Sequence, residues 1–273
     1  MLPLRPLTVG ELLDAAVTLL REYARVLLPA AAVLAAAEQA VLAPLRLAAD
    51  AEPPAYPPDS DHLGLYWVLL ATGAAAEVTI IALLGGLTAR AAGAAVLGQP
   101  LPARRLLDPR GARLGRVAIV AAIAGIAMFA AALAGPIWFV AYALLGLAAP
   151  AVVLDRLGPG RALRRGAVLA CRAGLRAAGI RILGYLAWLA IRVALGFGAM
   201  AALDALNLDR PQWTGLLSAV AWLLVNMVAY PTLACLDAVL HLETRMRTEG
   251  LDILLSRARV HGPLTPHLLV LAR

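Results

Sequence analysis

Six long apolar stretches, separated by polar gaps, dominate the hydrophobic pattern of the chain. They occupy residues 26–45, 63–87, 117–134, 137–154, 182–203 and 213–236. A helix rises about 1.5 Å per residue, so each stretch can cross about 30 Å of hydrocarbon, although 117–134 and 137–154 are at the short end. The pattern predicts an all-α polytopic membrane protein with six transmembrane helices in three hairpins. Gly135-Pro136 is then a tight outer turn, with a re-entrant hairpin as the alternative.

The arginines are divided unevenly between the polar gaps. Of the 24 basic residues, all of them arginine, 21 fall in 1–25, 88–116, 155–181 and 237–273. Arg46 and Arg210 lie in the other gaps, and Arg192 lies inside a stretch. Because positively charged loops stay in the cytoplasm, both termini and two large loops are predicted to be cytoplasmic. The expected location is the bacterial cytoplasmic membrane, with this charge facing the anionic inner leaflet of the bilayer.

Composition supports a membrane protein and argues against nucleic-acid binding. The chain is 62% hydrophobic and 15% charged, which is too apolar for a soluble globular protein. The net charge of +7 is spread over four segments without interleaved aromatic residues, so nucleic acid is not an expected partner. Two cysteines indicate neither a disulfide framework nor a metal site.

The polar gaps divide the chain into three predicted regions. Thr8 and Glu11 form a capping-box pattern at the start of an interfacial amphipathic helix within residues 1–25. The membrane domain follows over 26–236, and 237–273 form a cytoplasmic C-terminal helix and tail. The outer loop 46–62 is rich in proline and acidic residues, which favours an extended strap over a folded domain.

Three ionisable residues lie inside the apolar stretches: Glu38, Glu77 and Arg192, and Asn226 comes to a similar depth. Charged groups are costly in the bilayer, so these four residues form a predicted intramembrane polar cluster. One interpretation is a polar cavity that holds an anion or relays a proton. The other is a buried Arg192–carboxylate pair that fixes helix packing, in which case the remaining carboxylate is expected to be protonated.

Known catalytic patterns are missing from the sequence. The four histidines lie outside the apolar stretches, without metal-ligand spacing, and the three serines lack a nucleophile elbow. A chain without lysine cannot contain a phosphate-binding loop with the Gly-Lys motif. We therefore expect no enzymatic activity, no catalytic residues, no bound metal and no cofactor.

The two ends of the chain carry recognisable motifs. Residues 5–14 read RPLTVGELLD, and 245–252 read RMRTEGLD. Together they resemble an actinobacterial family of six-span membrane proteins labelled after the membrane domain of glycerophosphoryl diester phosphodiesterase. The resemblance implies a stand-alone membrane domain, with an AAA ATPase or other membrane proteins as possible partners, and it implies no phosphodiesterase activity. His241 and Glu243 depart from the family pattern, which has an aromatic residue and an aspartate there.

Charges from both ends are predicted to meet at the cytoplasmic face as a docking surface for partners. This set comprises Glu11, Asp14, Glu243, Arg245, Arg247, Glu249 and Asp252. The expected function is that of a non-enzymatic membrane scaffold or a subunit of a membrane complex. The alternative is a small-solute or lipid transporter that uses the intramembrane cluster. A cavity reaching Arg192 favours the transporter, and a dry paired core favours the scaffold.

Overall fold

The computed structural model describes residues 3–53, 56, 60–99, 101–205 and 211–270. Arg210 and three prolines of the 46–62 loop, Pro54, Pro57 and Pro58, lie outside this part of the chain. The described residues form helices: α1 (Val9–Ala48), α2 (Leu63–Leu97), α3 (Ala103–Leu106), α4 (Leu114–Leu133), α5 (Trp138–Leu145), α6 (Ala148–Val153), α7 (Pro159–Ala205), α8 (Pro211–Glu249) and α9 (Leu251–His261). Short 3₁₀ helices occupy Ser60–His62 and Pro266–Leu269.

Within the described residues, five helices are long and apolar enough to cross a membrane, by length and composition. They are α1, α2, α4, the Gly174–Ala199 part of α7 and the Thr214–Glu249 part of α8. Many large apolar side chains on the outside of the bundle are exposed, including Val33, Ile126 and Leu195. Such a surface is stable against lipid and not in water. The predicted all-α polytopic membrane fold is confirmed.

The predicted fourth span differs in form from the other five. Residues 137–154 form two short helices, α5 and α6, interrupted near Gly146. Arg113 donates from Nη1 to the carbonyl of Val152 at 2.7 Å, which places the end of α6 beside the start of α4. At the other end of the hairpin, Trp67 Nε1 donates to the Leu133 carbonyl at 3.2 Å. The α5–α6 segment therefore returns over the same depth that α4 crosses.

The predicted interfacial helix of residues 1–25 is continuous with the first span. Thr8 caps α1, and both bonds of the capping box with Glu11 are present. The helix then runs to Ala48 with one break in helical geometry at Tyr23 (φ −110°, ψ 16°). Likewise, the arginine-rich start of α7 continues into the fifth span, with left-handed backbone at Gly174 and Leu175. Each amphipathic segment is thus an extension of a span.

The four arginine-rich segments meet at one end of the bundle, which we call the arginine-rich face. Arg176 and Arg247 donate to the carbonyl of Leu7 at 2.9 and 2.8 Å, joining α7 and α8 to the N-terminal segment. The side chain of Gln99, just after α2, donates to the Leu264 carbonyl at 2.7 Å. The segments around Leu7 and Leu264 therefore lie on the same face, as the six-span topology requires.

Candidate functional site

A buried ion pair joins α2 to α7 inside the bundle. The Arg192 guanidinium donates from Nη1 and Nη2 to the two oxygens of Glu77, each at 3.0 Å. Both side chains are less than 10% exposed. This two-pronged geometry is the strongest form of an arginine–carboxylate contact. The predicted pairing of Arg192 with an intramembrane carboxylate is confirmed, and the partner is Glu77.

Glu38 of α1 is the intramembrane carboxylate that takes no part in this ion pair. Its two oxygens accept hydrogen bonds from Asn226 Nδ2 at 3.0 Å and from the Tyr230 hydroxyl at 2.6 Å. Both donors belong to α8 and lie four residues apart, on one face of that helix. No cation of the described residues lies within ion-pair distance of Glu38. The Tyr230 ring also lies 5.3 Å from Cζ of Arg192, so it links the two carboxylate sites.

The cluster lines a cavity of about 330 Å³ between α1, α2, α7 and α8. The cavity extends from the Glu77–Arg192 pair to Arg46 and Trp67, near the end of the bundle opposite the arginine-rich face. Its aromatic lining consists of Tyr56, Tyr66, Trp67, Trp138, Tyr185, Trp222 and Tyr230. A mainly apolar and aromatic wall with a few convergent polar groups is typical of a small-molecule site.

Three polar atoms on this lining have no hydrogen-bond partner among the described residues. They are Nε of Arg192, Nε1 of Trp222 and Oδ1 of Asn226. Buried polar groups in native proteins are nearly always hydrogen-bonded, but Tyr142, Arg181 and His241, which do not line this cavity, each carry an unpartnered atom too, so these atoms alone do not indicate a ligand.

The end of the cavity farthest from the arginine-rich face is bordered by Arg46 and Tyr56, both within the predicted 46–62 loop. Arg46 donates to the Gln39 side chain at 2.8 Å, and its Cζ lies 4.4 Å from the centre of the Tyr56 ring. The Tyr56 hydroxyl is 3.0 Å from the Ser218 hydroxyl on α8. These contacts hold Tyr56 between α1 and α8 at this end of the cavity.

The charges predicted to form an exposed docking surface are arranged differently. Glu243 is 2% exposed and Arg245 is 5% exposed, so these two residues belong to the interior of the arginine-rich face. Glu11 pairs with Arg5, whereas Arg245 pairs with Asp155 and Arg247 with Glu243. The two ends of the chain nevertheless meet, because the N-terminal segment offers the arginines of α7 and α8 the backbone carbonyl of Leu7.

The remaining docking residues have diverse surroundings. Glu249 accepts hydrogen bonds from Arg165 and Arg172 of α7 at 2.6 and 2.7 Å, and Glu243 accepts one from Arg176 at 2.9 Å. Arg247 also pairs with Glu243, one helical turn away. Asp14 is exposed, and Asp252 lies in the first turn of α9. Glu243 and Glu249 therefore bind α7 to α8.

Asp155 is the centre of a buried network that the sequence did not reveal. Its carboxylate accepts hydrogen bonds from Arg165 at 3.1 Å and Arg245 at 2.8 Å, and His241 Nε2 lies 3.3 Å away. Burial by itself would raise the pKa of Asp155, but these three partners outweigh it and lower the pKa to about 2. The network ties the α6–α7 connection to α8.

A further buried ion pair, between Arg181 and Asp237, was not predicted from the sequence. Arg181 of α7 donates from Nε to Asp237 of α8 at 2.7 Å, and each residue is 2% exposed. The guanidinium also lies 3.9 Å from the centre of the Tyr142 ring. Gly146 makes room for it, because a Cβ there would lie 1.8 Å from Arg181 Nε. The guanidinium of Arg181 therefore packs against the break between α5 and α6.

These features define a polytopic α-helical membrane protein with a polar cavity inside its helix bundle. No protein-family model, curated protein or solved structure matches the chain. The likeness to the actinobacterial six-span family therefore depends on the two terminal motifs alone.

Proposed function

We propose that this protein binds a small solute or a lipid group in the cavity of the intramembrane cluster, as a transporter or lipid-handling protein. The observation that supports this proposal is the continuity of one cavity from the Glu77–Arg192 pair almost to the face opposite the arginines. A scaffold needs no such cavity. In addition, the charges predicted to dock a partner are largely engaged in contacts within the chain, so the geometry favours the cavity.

The cluster has features that helix packing alone does not require. A buried ion pair that only fixes packing is most stable when apolar side chains surround it and every polar atom is satisfied. Here Glu77 and Arg192 both line open volume, in place of apolar side chains packed around the pair. Glu38 adds a carboxylate held only by neutral donors.

The lining also indicates the chemistry of the ligand. Tyrosine and tryptophan rings offer flat apolar surfaces, with hydroxyl and indole groups as hydrogen-bonding points. The charged and polar side chains of Glu38, Glu77 and Arg192 line the cavity together with these rings. An amphiphilic molecule with its hydrogen-bonding group directed toward Arg192 and its apolar part along the rings fits this arrangement.

Filling the cavity should abolish retention of its ligand. Gly73 lines the cavity, and a Cβ there would meet only Leu42 at 3.9 Å, so Gly73→Leu should reduce the volume without a backbone clash. Native mass spectrometry of protein purified in mild detergent should then show a bound small molecule or lipid on the wild type and its loss from the variant.

Gly64→Leu is the matched control. Gly64 lies in the same helix, is exposed, and would place its Cβ in open space outside the cavity. It should retain the same species as the wild type. Equal retention by both variants, or no bound species on the wild type, would contradict a ligand site in this cavity.

We further propose that the arginine-rich face is cytoplasmic and that the membrane is the bacterial cytoplasmic membrane, as the arginine distribution favours. In a Cys171→Ala background, which removes the exposed native thiol, Glu52→Cys should react with an impermeant thiol reagent in intact cells. Arg161→Cys, exposed on the arginine-rich face, should react only after lysis. The reverse labelling pattern would refute this orientation.

A further inference from the structure

A second cavity, of about 470 Å³, lies at the arginine-rich face. It is bounded by the last turns of α2, the segment before α4, the end of α6 and the 3₁₀ helix Pro266–Leu269. Four arginines from three of these segments line it: Arg90, Arg110, Arg113 and Arg156. It is separate from the intramembrane cavity and shares no lining residue with it.

The lining of this second cavity contains no acidic residue in the described part of the chain. The carboxylate of Asp108 approaches Arg90 at 3.6 Å and, among the described residues, is the one acid in ion-pair contact with the four arginines. Asp155 precedes Arg156 in sequence, but its carboxylate is completely buried against Arg165, His241 and Arg245. The cavity therefore carries an excess of positive charge.

Elsewhere on this face many arginines are neutralised by acids, although exposed ones such as Arg161 and Arg164 are not, within the described residues. On α7 and α8, Arg165, Arg172, Arg176, Arg245 and Arg247 each contact a carboxylate. A bias for arginine in cytoplasmic loops explains how many arginines the face has. It does not explain why four converge on one cavity while the acids are directed elsewhere.

Two of the four arginines are held in place by the backbone. Arg113, in left-handed conformation at φ 52°, donates from Nη1 to the carbonyls of Val152 and Leu157 at 2.7 and 3.3 Å. Arg90 donates to the Asp108 carbonyl at 3.2 Å. Gly111 lies directly against the Arg90 guanidinium, because a Cβ there would be 2.3 Å from its Cζ. These two cations are thus positioned before any ligand binds.

The other two arginines are available to a ligand. Arg110 and Arg156 are exposed, and no carboxylate of the described residues lies within ion-pair distance of either. Apolar side chains of Leu97, Leu154 and Leu269 form the rest of the wall. Guanidinium groups match the oxygens of phosphate in two-pronged hydrogen bonds, and they are less strongly hydrated than ammonium groups.

We infer that this cavity binds the phosphate group of an anionic ligand, with Arg110 and Arg156 closing on a phosphate that Arg90 and Arg113 attract. The phosphate belongs either to an anionic phospholipid headgroup or to a soluble phosphate compound. Basic pockets between transmembrane helices commonly hold phospholipid headgroups. This inference concerns a site separate from the proposed ligand cavity, and it holds whether or not that cavity binds a ligand.

The test compares two variants that remove the same charge from the arginine-rich face. R110Q/R156Q changes the two available arginines of the cavity. R161Q/R164Q changes two exposed arginines at the start of α7, outside the cavity. None of the four side chains makes a hydrogen bond or ion pair within the described residues, so all variants should fold. Equal melting temperatures in detergent establish this.

Two probes distinguish the sources of the phosphate. The first is inorganic phosphate, titrated into detergent-solubilised protein against chloride at equal ionic strength, with the melting temperature as readout. The second is a set of micelles containing phosphatidylglycerol or phosphatidylcholine, with lipid retention measured by native mass spectrometry. R110Q/R156Q should weaken binding about tenfold or more, as expected when two charge-assisted hydrogen bonds are lost. R161Q/R164Q should bind as the wild type does.

The pattern of results decides both the site and its source. Selective retention of phosphatidylglycerol, lost in R110Q/R156Q, supports a lipid headgroup. Stabilisation by inorganic phosphate alone, lost in the same variant, supports a soluble ligand. Equal losses in the two variants would show a general effect of surface charge and overturn the inference, as would failure of both probes to bind the wild type.

Discussion

Arg192→Leu should be among the most destabilising single substitutions in this protein. The change leaves Glu77 in a buried position without its cation, and breaking one partner out of a buried ion pair costs about 3–5 kcal/mol. The expected result is a fall of order 10 °C in the melting temperature of the purified protein in detergent.

A double-mutant cycle distinguishes this effect from a loss of packing volume. Arg192→Leu/Glu77→Gln removes both charges, so it should recover much of the stability that Arg192→Leu loses. Glu77→Gln alone should also be destabilising, because it leaves the guanidinium uncompensated. A double variant no more stable than Arg192→Leu would show that the two residues do not interact energetically, contrary to the 3.0 Å contacts between them.

Asp155→Asn should have a comparable effect at the other end of the bundle. The substitution keeps the shape of the side chain but removes the negative charge that Arg165 and Arg245 share. Because the Asp155 side chain is fully buried, water cannot replace it, and a loss of about 3–5 kcal/mol in the free energy of unfolding is expected. Thermal unfolding in detergent measures it, and Asp14→Asn, at an exposed site, should change little.

The thermal stabilities of the wild type and of Asp155→Asn should also respond differently to acid. The pKa of Asp155 is lowered from 3.8 to about 2 in the folded state. The stabilisation it gives is therefore complete above pH about 4 and is lost as the pH falls through about 2. The difference in melting temperature between wild type and Asp155→Asn should be constant near neutral pH and should shrink below about 4. A difference that does not change with pH would mean that the charge is not the cause.

The intramembrane pair was predictable because charge inside an apolar stretch is conspicuous. Arg192, Glu77 and Glu38 are surrounded in sequence by apolar residues. A charge at that depth is costly without a partner, so each of them was expected to have one. Tyr230 was not predicted to belong to the cluster, because a tyrosine in such a stretch was counted as an apolar residue. Its hydroxyl, which needs a hydrogen-bond partner when buried, was the signal that could have located it.

The other buried ion pairs could not be identified in the same way. Arg181 and Asp237 lie at the edges of the apolar stretches, where charges ordinarily face water. Their burial follows from the interruption between α5 and α6 at Gly146, a tertiary feature that periodicity does not encode. Asp155 is comparable, since its surroundings depend on α8 continuing well beyond its apolar part.

Cavities are the least predictable feature, because they are volumes that side chains do not fill. The sequence supplied the cluster of Glu38, Glu77, Arg192 and Asn226, and it left a cavity and a dry pair as alternatives. The structure contains the pair and the cavity together. At the arginine-rich face, the sequence predicted the sign of the charge. It could not show which arginines would be neutralised by acids and which would converge without them.

The division of arginines between the two faces also gives the molecule an electric polarity. Exposed arginines such as Arg104 and Arg164 lie at one end, and exposed acids such as Asp50 and Glu52 lie at the other. A helix the length of α2, 35 residues, separates these ends by roughly 50 Å. A transmembrane voltage pulls the arginines and the acids in opposite directions. Because they lie at opposite ends, the force on the arginines and the force on the acids favour the same orientation. In the proposed orientation the arginine-rich face lies on the negative side of an energised membrane, so the voltage favours the same orientation as the loops do.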